Sequence, residues 1–363
     1  MSVFSHREYD HHEKLIFHRD AASGLQAIVA IHNTNLGFAL GGCRMWHYAS
    51  EHDAVADVLR LSRSMTYKAA IAGLNLGGGK SVIIGDSRRD KTPDRMRAMG
   101  RLINSLQGEY VSAEDVGINE RDIALMAGET PFVTGYKAVN RGGNGGDPSP
   151  LTAYGVFRGI EEAVRFRLNL DSLAGVRVAI QGLGKVGYEL ARLLSGAGAV
   201  VLASDIFSEN LSPAIKELGV IPVAAGEIHR QAADVFSPCA MGAVLNAESI
   251  PEISAPIVAG SANNQLARSA DGRRLADADI LYVPDYVINV GGLIDVYYQY
   301  VGTDRREVRQ HIDRVAGDTL PKIFHLAQER RVPTSEVADQ LARERFMISS
   351  TSDAEVTWPL PAL

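Results

Sequence analysis

Two spacings of apolar residues alternate along this chain. Leu25-Gln26-Ala27-Ile28-Val29-Ala30-Ile31-His32 is an almost unbroken apolar run, which predicts a buried strand with a turn over 33–37 after it. Leu40-Gly41-Gly42-Cys43-Arg44-Met45-Trp46 predicts a second extended stretch. Between 51 and 67 the period changes. Ala54, Val55, Val58, Leu59, Leu61, Ser62 and Met65 recur near helical spacing, with Glu51, Asp53, Asp57, Arg60 and Arg63 off that stripe, so an amphipathic helix is expected with Lys68 at its end. A strand at 82–84 follows, then a helix over 93–106 opened by the cap and first-turn pair Thr92-Pro93. Glu109 to Ala113 predicts a short strand, and the next helix starts near Asn119.

The tract Asn140-Arg141-Gly142-Gly143-Asn144-Gly145-Gly146-Asp147-Pro148-Ser149-Pro150 is the densest run of glycine and proline, and it predicts a domain boundary. Helical pattern resumes at Thr152. Beyond it strands and helices alternate: a strand over 176–181, a helix over 188–194 and a strand over 200–204. Strand–loop units follow at 234–240, 257–264 and 280–292, each with small or amide residues where the strand ends. Residues 305–345 read as charged helix, and 351–363 as an irregular end. Alternation of this kind makes the fold class α/β, with a Rossmann-type module in the second half.

Length and composition narrow the function. A chain of 363 residues has room for two domains of ordinary size. Hydrophobic residues make up 46% and charged ones 22%, and the net charge of −6 argues against a general affinity for nucleic acid. No run is apolar enough for a membrane span, and the first residues lack the apolar core of a signal peptide, so cytoplasm is the expected setting. Cys43 and Cys239 are too few for a disulfide framework, and no metal site is expected. His6, His11, His12 and His18 read as part of a solvated face.

Three stretches carry candidate chemistry. Lys68 and Lys80 flank the glycine-rich segment Gly73-Leu74-Asn75-Leu76-Gly77-Gly78-Gly79. Burial and a nearby second cation both lower a lysine's pKa, and a lysine tuned towards neutrality can accept a proton near physiological pH. The alternative is a surface turn with two lysines reaching into solvent. A phosphate-binding P-loop does not fit, because Leu74 stands where its first glycine should be. Glu114-Asp115 lies just beyond a strand end, where α/β sheets bind ligands; the alternative is that Asp115 only caps the following helix. Gly41 and Gly42 would either expose amides to an anion or kink a strand. The strongest motif is Gly182-Leu183-Gly184-Lys185-Val186-Gly187, which has a strand before it, a helix after it, and Asp205 eighteen positions past its last glycine. In that context it is a dinucleotide fingerprint: the loop takes the pyrophosphate, and Asp205 takes the adenosine ribose hydroxyls and repels a 2′-phosphate, favouring NAD.

Together these segments resemble the amino-acid dehydrogenase superfamily, in its leucine, valine and phenylalanine dehydrogenase branch, with the leucine dehydrogenases as the nearest group. The resemblance is carried by Gly41 to Trp46, Met65-Thr66-Tyr67-Lys68, Gly73 to Lys80 and Ala113-Glu114-Asp115-Val116-Gly117 in the first half. In the second half it is carried by Asp147-Pro148-Ser149-Pro150, the 182–187 loop, the 259–264 run and Pro284-Asp285-Tyr286-Val287-Ile288-Asn289. It implies a catalytic and substrate-binding domain over 1–140, an NAD-binding domain over 141–330 with a cleft between the two, and a helical segment over 331–363 returning to the first domain. It also implies a homo-oligomer acting on a small amino acid or 2-oxo acid.

By the resemblance, Lys80 is the catalytic lysine, Asp115 the proton-transferring carboxylate and Lys68 the cation that grips the substrate carboxylate. Gly41, Gly42, Met65 and Asn264 help hold the substrate, and Leu40, Ala113, Leu293 and Val296 line its side-chain pocket. Thr152, Ala240 and Asn263 face the nicotinamide and its ribose. Three positions depart from the family's pattern: Cys43 for threonine, Gly79 for alanine and Leu293 for a smaller valine. The implied reaction is reversible oxidative deamination of an apolar L-amino acid. A 2-hydroxy-acid dehydrogenase would normally use a histidine base, which these motifs lack. A catalytically silent NAD-binding protein would have no need of Lys80 and Asp115.

Overall fold

The computed structural model describes residues 3–136, 147–302 and 305–348. Most of the glycine-rich tract at 140–150 and the end at 351–363 lie outside them. The chain divides into two compact units: 1–147 with 296–304 and 342–363, and 148–295 with 305–341.

In the first unit, strands β1 (Lys14–Asp20), β2 (Leu25–Asn33) and β3 (Ala39–Trp46) precede helix α1 (Glu51–Ile71). Strand β4 (Gly77–Ile84), helix α2 (Pro93–Ser105), strand β5 (Tyr110–Ala113) and helix α3 (Glu120–Ala127) follow. The sheet order is β1-β2-β4-β3-β5. Strand β2 runs antiparallel to β1 and β4, while β3 is parallel to both β4 and β5. The stripe read from the sequence packs α1 on this sheet, where Ala54, Val58 and Leu59 meet Ile28, Ala30 and Val82. Ser50 caps α1 by accepting from the Asp53 N–H. At the other end the Arg345 guanidinium donates to the carbonyls of Ala70, in the last turn of α1, and Leu74, in the turn beyond it, at 2.8 Å each.

Two readings need correction. The strand expected at 82–84 is longer and the alternative of a surface turn falls away, because Gly77 to Gly79 are the first residues of β4. Neighbouring groups come too close for any side chain. A Cβ on Gly78 would stand 2.1 Å from the Thr66 backbone nitrogen, and one on Gly79 would stand 2.7 Å from the Tyr110 ring. The glycines therefore draw α1 and β5 onto the strand that carries Lys80. Among the histidines, His6 and His12 are buried rather than solvated. His12 Nε2 is 2.9 Å from the Leu59 carbonyl and its ring packs against His32, so polar partners inside the fold take the place of water.

The second unit is doubly wound. Helix α4 (Ser149–Leu168) leads to β6 (Arg177–Gln181), α5 (Lys185–Gly196), β7 (Val200–Ser204), α6 (Ser208–Leu218) and β8 (Ile221–Pro222). Strands β9 (Val235–Pro238) and β10 (Ile257–Val258), helix α7 (Ala270–Asp277), strand β11 (Leu281–Tyr282) and helix α8 (Asp285–Ile288) follow. The chain closes with helices α9 (Gly291–Val301), α10 (Arg305–Arg314), α11 (Leu320–Arg330) and α12 (Thr334–Ile348). The sheet order is β11-β10-β9-β6-β7-β8, with every pairing parallel. The order reverses beside β6, where such sheets open their ligand crevice. No helix among the described residues is long and apolar enough to cross a membrane.

Candidate active site

Strand periodicity builds the first half of the site. Side chains two apart on a strand share a face, so Gly42 and Arg44 of β3 point the same way. Lys80, in mid-β4, is 7% exposed, and its Nζ lies 2.6 Å from Asp115 Oδ2. Asp115 follows the end of β5. It does not cap the next helix, because Asn119 accepts from the Arg121 and Asp122 amides in a capping box. A Cβ on Gly42 would stand 2.8 Å from Asp115 Cβ and 3.2 Å from Lys80 Nζ, so the missing side chain leaves the ion pair accessible from β3. Gly41 is backed by the Gly79 carbonyl and Met65. Met65 and Lys68, both half-buried, stand one turn apart on α1, and Leu40 and Ala113 are buried on β3 and β5. The half-buried Val296 also belongs to this unit, where its carbonyl accepts from the Thr134 hydroxyl at 3.4 Å.

One partner was missed in the sequence. Arg44 donates from Nε to the same Asp115 oxygen at 3.1 Å and from a terminal nitrogen to Asp57 at 2.9 Å. The Tyr48 hydroxyl donates to that Asp57 oxygen at 2.8 Å. Burial pushes the Asp115 carboxyl up, but Lys80 and Arg44 outweigh it and hold the group at about 2. Arg44 sits inside a motif already noted, two residues past the glycine pair, and an arginine on a buried strand was the available signal. Asp57 gave none, since an acidic residue off the apolar stripe of a helix reads as solvated. Cys43, buried beside Ser81, has its thiol pushed up to about 12 by burial and is chemically quiet.

The second unit carries the remaining residues. Strand β6 ends at the glycine loop, and Gly182 has the positive φ of 97° that the turn requires. A Cβ on Gly187 would come 2.0 Å from the Gly182 carbonyl oxygen, so α5 packs directly on the loop. At Gly184 no heavy atom of the described residues lies within 4 Å of where a Cβ would stand. Gly184 is also the cap of α5 and makes no side-chain cap bond, so the turn Gly182-Leu183-Gly184 leads into a helix N-terminus, begun by Lys185 and Val186, that is suited to a pyrophosphate. Asp205 follows β7 and accepts the Leu183 N–H at 2.7 Å and the Phe207 N–H at 2.9 Å, one on each oxygen. Each oxygen keeps a second lone pair for a ribose hydroxyl. These residues fit a bound dinucleotide.

Ala240 lies against Gly182. The Asn263 side chain accepts from Asn289 at 2.8 Å, and Asn264 adopts the left-handed φ of 53° while its carbonyl takes the Ala243 N–H. Thr152, in the first turn of α4, faces Gly292, next to the buried Leu293. Among the described residues no cluster of His, Cys, Asp or Glu is arranged to hold a metal.

Fold and site together define a class. Residues 11–132 match the family described as Glu/Leu/Phe/Val dehydrogenase, dimerisation domain, and residues 142–208 and 210–351 match Glutamate/Leucine/Phenylalanine/Valine dehydrogenase. The chain belongs to this family of amino-acid dehydrogenases. It is similar to leucine dehydrogenase of Thermoactinomyces intermedius, at 46% identity over 95% of this chain and 94% of that protein. Phenylalanine dehydrogenase of Caldalkalibacillus thermarum shares 42% over 95% and 94% of the two chains. Among solved structures, L-tryptophan dehydrogenase from Nostoc punctiforme superposes with a TM-score of 0.82 at 40% identity, covering 93% of this chain and 97% of that one.

Proposed function

We propose that this chain catalyses the NAD-dependent, reversible oxidative deamination of apolar L-amino acids, with leucine preferred and isoleucine and valine accepted. The observation that carries this reading is the buried Lys80–Asp115 pair at 2.6 Å beside Gly42. Bound NAD would accept the hydride from the substrate Cα. Lys68 neutralises the substrate carboxylate as a point charge, aided by the backbone at Gly41 and Gly42 and by Asn264. Lys80 assists a water in attacking the iminium carbon. Asp115 then carries protons to and from the carbinolamine nitrogen, which leaves as ammonium. Thr152, Ala240 and Asn263 orient the nicotinamide, while the 182–187 loop and Asp205 hold the remainder of the dinucleotide.

Substrate choice rests on Leu40, Ala113, Leu293 and Val296. All are apolar, so the second carboxylate of glutamate would be buried unpaired at prohibitive cost. The methyl of Ala113 and the extra volume of Leu293 favour a branched aliphatic side chain over a ring. Membership of a family whose N-terminal domain is described as a dimerisation domain supports a homo-oligomer, and the expected setting remains the cytoplasm. NADH absorbance measured with leucine, isoleucine, valine, phenylalanine, glutamate and 2-hydroxyisocaproate tests the reading. The highest kcat/KM should belong to a branched-chain amino acid, and Ala113→Gly should raise phenylalanine relative to leucine. Preference for an aromatic substrate would overturn the pocket assignment, and turnover of the hydroxy acid alone would overturn the chemistry.

A further inference from the structure

Asp115 must gain a proton and lose it again in each turnover, and its surroundings hold it by more than Lys80. Both Lys80 Nζ and Arg44 Nε bind one carboxylate oxygen, Oδ2, from strands β4 and β3. The carboxyl group cannot rotate without giving up both. The Arg44 guanidinium is itself fixed at its other end, where Asp57 takes 2.9 Å and 2.8 Å contacts from Arg44 and Tyr48 on one oxygen and a 3.0 Å contact from Arg60 on the other. Asp57 and Arg44 are mostly buried, with side chains 13% and 21% exposed, so water screens the chain of charges only weakly. Only a planar, forked cation can serve two carboxylates in this way; a lysine is a point charge on a flexible stem.

We propose that Arg44 is a positioning residue for the proton-transfer step: it fixes the orientation of Asp115 and keeps it ionised between turnovers, while Asp57 and Tyr48 hold Arg44 in place. The proposal rests on the reading of Lys80 and Asp115 given above. Around Asp115 stand Lys80 on β4, Arg44 and the neutral Cys43 on β3, Tyr48 just past β3, and the Tyr110 phenol, raised by burial, on β5, with Asp57 of α1 behind Arg44. Arg44 is therefore the cation that can be removed while the direct Lys80–Asp115 contact is kept.

The test compares wild type, Arg44→Gln and Arg44→Lys as full-length protein with leucine and NAD, in H2O and in D2O. Arg44→Gln should lower kcat at least tenfold and raise the solvent deuterium isotope effect on kcat, because transfer of a proton through a misoriented Asp115 becomes the slow step. KM for leucine and Kd for NAD should stay within threefold. Arg44→Lys should lower kcat similarly and raise the isotope effect in the same way, because it keeps the charge and loses the fork. Should Arg44→Gln fail to fold, Arg44→Lys decides: wild-type kcat in that variant overturns the proposal. A lowered melting temperature with unchanged kcat and isotope effect would also overturn it, leaving Arg44 a structural residue. If wild type itself does not turn over any amino acid, it is the proposed function that fails.

Discussion

Two glycine-to-alanine substitutions, chemically identical, should have opposite consequences. In Gly78→Ala the new Cβ would fall 2.1 Å from the backbone nitrogen of Thr66, 2.2 Å from its hydroxyl and 2.7 Å from the Ser62 carbonyl. Carbon and nitrogen atoms in contact normally stay near 3.5 Å, so α1 must retreat from β4 by roughly an ångström. Two of the three clashing atoms are backbone, and no rotamer change relieves them. Overpacking of this severity sits at the upper end of the usual range, about 3 kcal/mol. For a unit of this size that lowers Tm by about 6–12 °C. The same retreat separates Lys68, on α1, from Lys80, on β4, so kcat should fall in whatever folded protein remains. At Gly184 the added methyl meets nothing within 4 Å and φ is −64°, a value alanine adopts freely. Gly184→Ala should therefore keep Tm within about 1–2 °C while weakening NAD at least tenfold, by blocking close approach to the loop. Thermal unfolding by circular dichroism and NAD titration by fluorescence read both. An unchanged Tm in Gly78→Ala would refute the packing argument, and unchanged NAD affinity in Gly184→Ala would refute the cofactor assignment.

Lys80→Ala should abolish turnover while leaving NAD affinity nearly unchanged; retention of more than about a tenth of wild-type kcat, some 1.4 kcal/mol, would remove Lys80 from the chemistry. Replacing Asp205 by Asn should narrow the preference for NAD over NADP in steady-state kinetics, and wild-type enzyme using both cofactors equally would defeat the charge argument. Acid should destabilise the first unit through His32, whose pKa burial lowers from 6.5 to about 3, with His12 acting in the same direction. The folded state prefers the neutral ring, so stability is full above pH 6.5 and declines as the unfolded chain protonates below it. From pH 7 to pH 5 His32 alone accounts for about 2 kcal/mol. Urea unfolding of wild type and His32→Gln at the two pH values should show a smaller loss in the variant, and equal losses would show that His32 is not responsible.

Periodicity and a few motifs determined much of this protein by themselves. The helical stripe from Ala54 to Met65, the Thr92-Pro93 helix start and the strand–glycine–helix unit around 182–187 were legible because each is a local pattern answering a local physical demand. Strand β1 was missed: it is an edge strand whose Lys14 to Asp20 residues are all exposed or half-buried, so no apolar run marked it. The strands at 257–258 and 281–282 fall in expected strand–loop units, whereas the two-residue strand at 221–222 was not expected and is held by its parallel neighbour β7. Only the tertiary structure decided what the glycines before Lys80 are for. Glycine permits a turn, a ligand contact or a close helix with equal ease, and the choice lies with Thr66 and Tyr110, twelve and thirty-one residues away from Gly78 and Gly79. His12 reads as polar surface until Leu59 and Ser62 supply its partners across the fold. The same reason hid the brace on Asp115. Arg44, Asp57 and Asp115 meet because β3, α1 and the end of β5 converge, and their charges interact through space with no regard for their order along the chain.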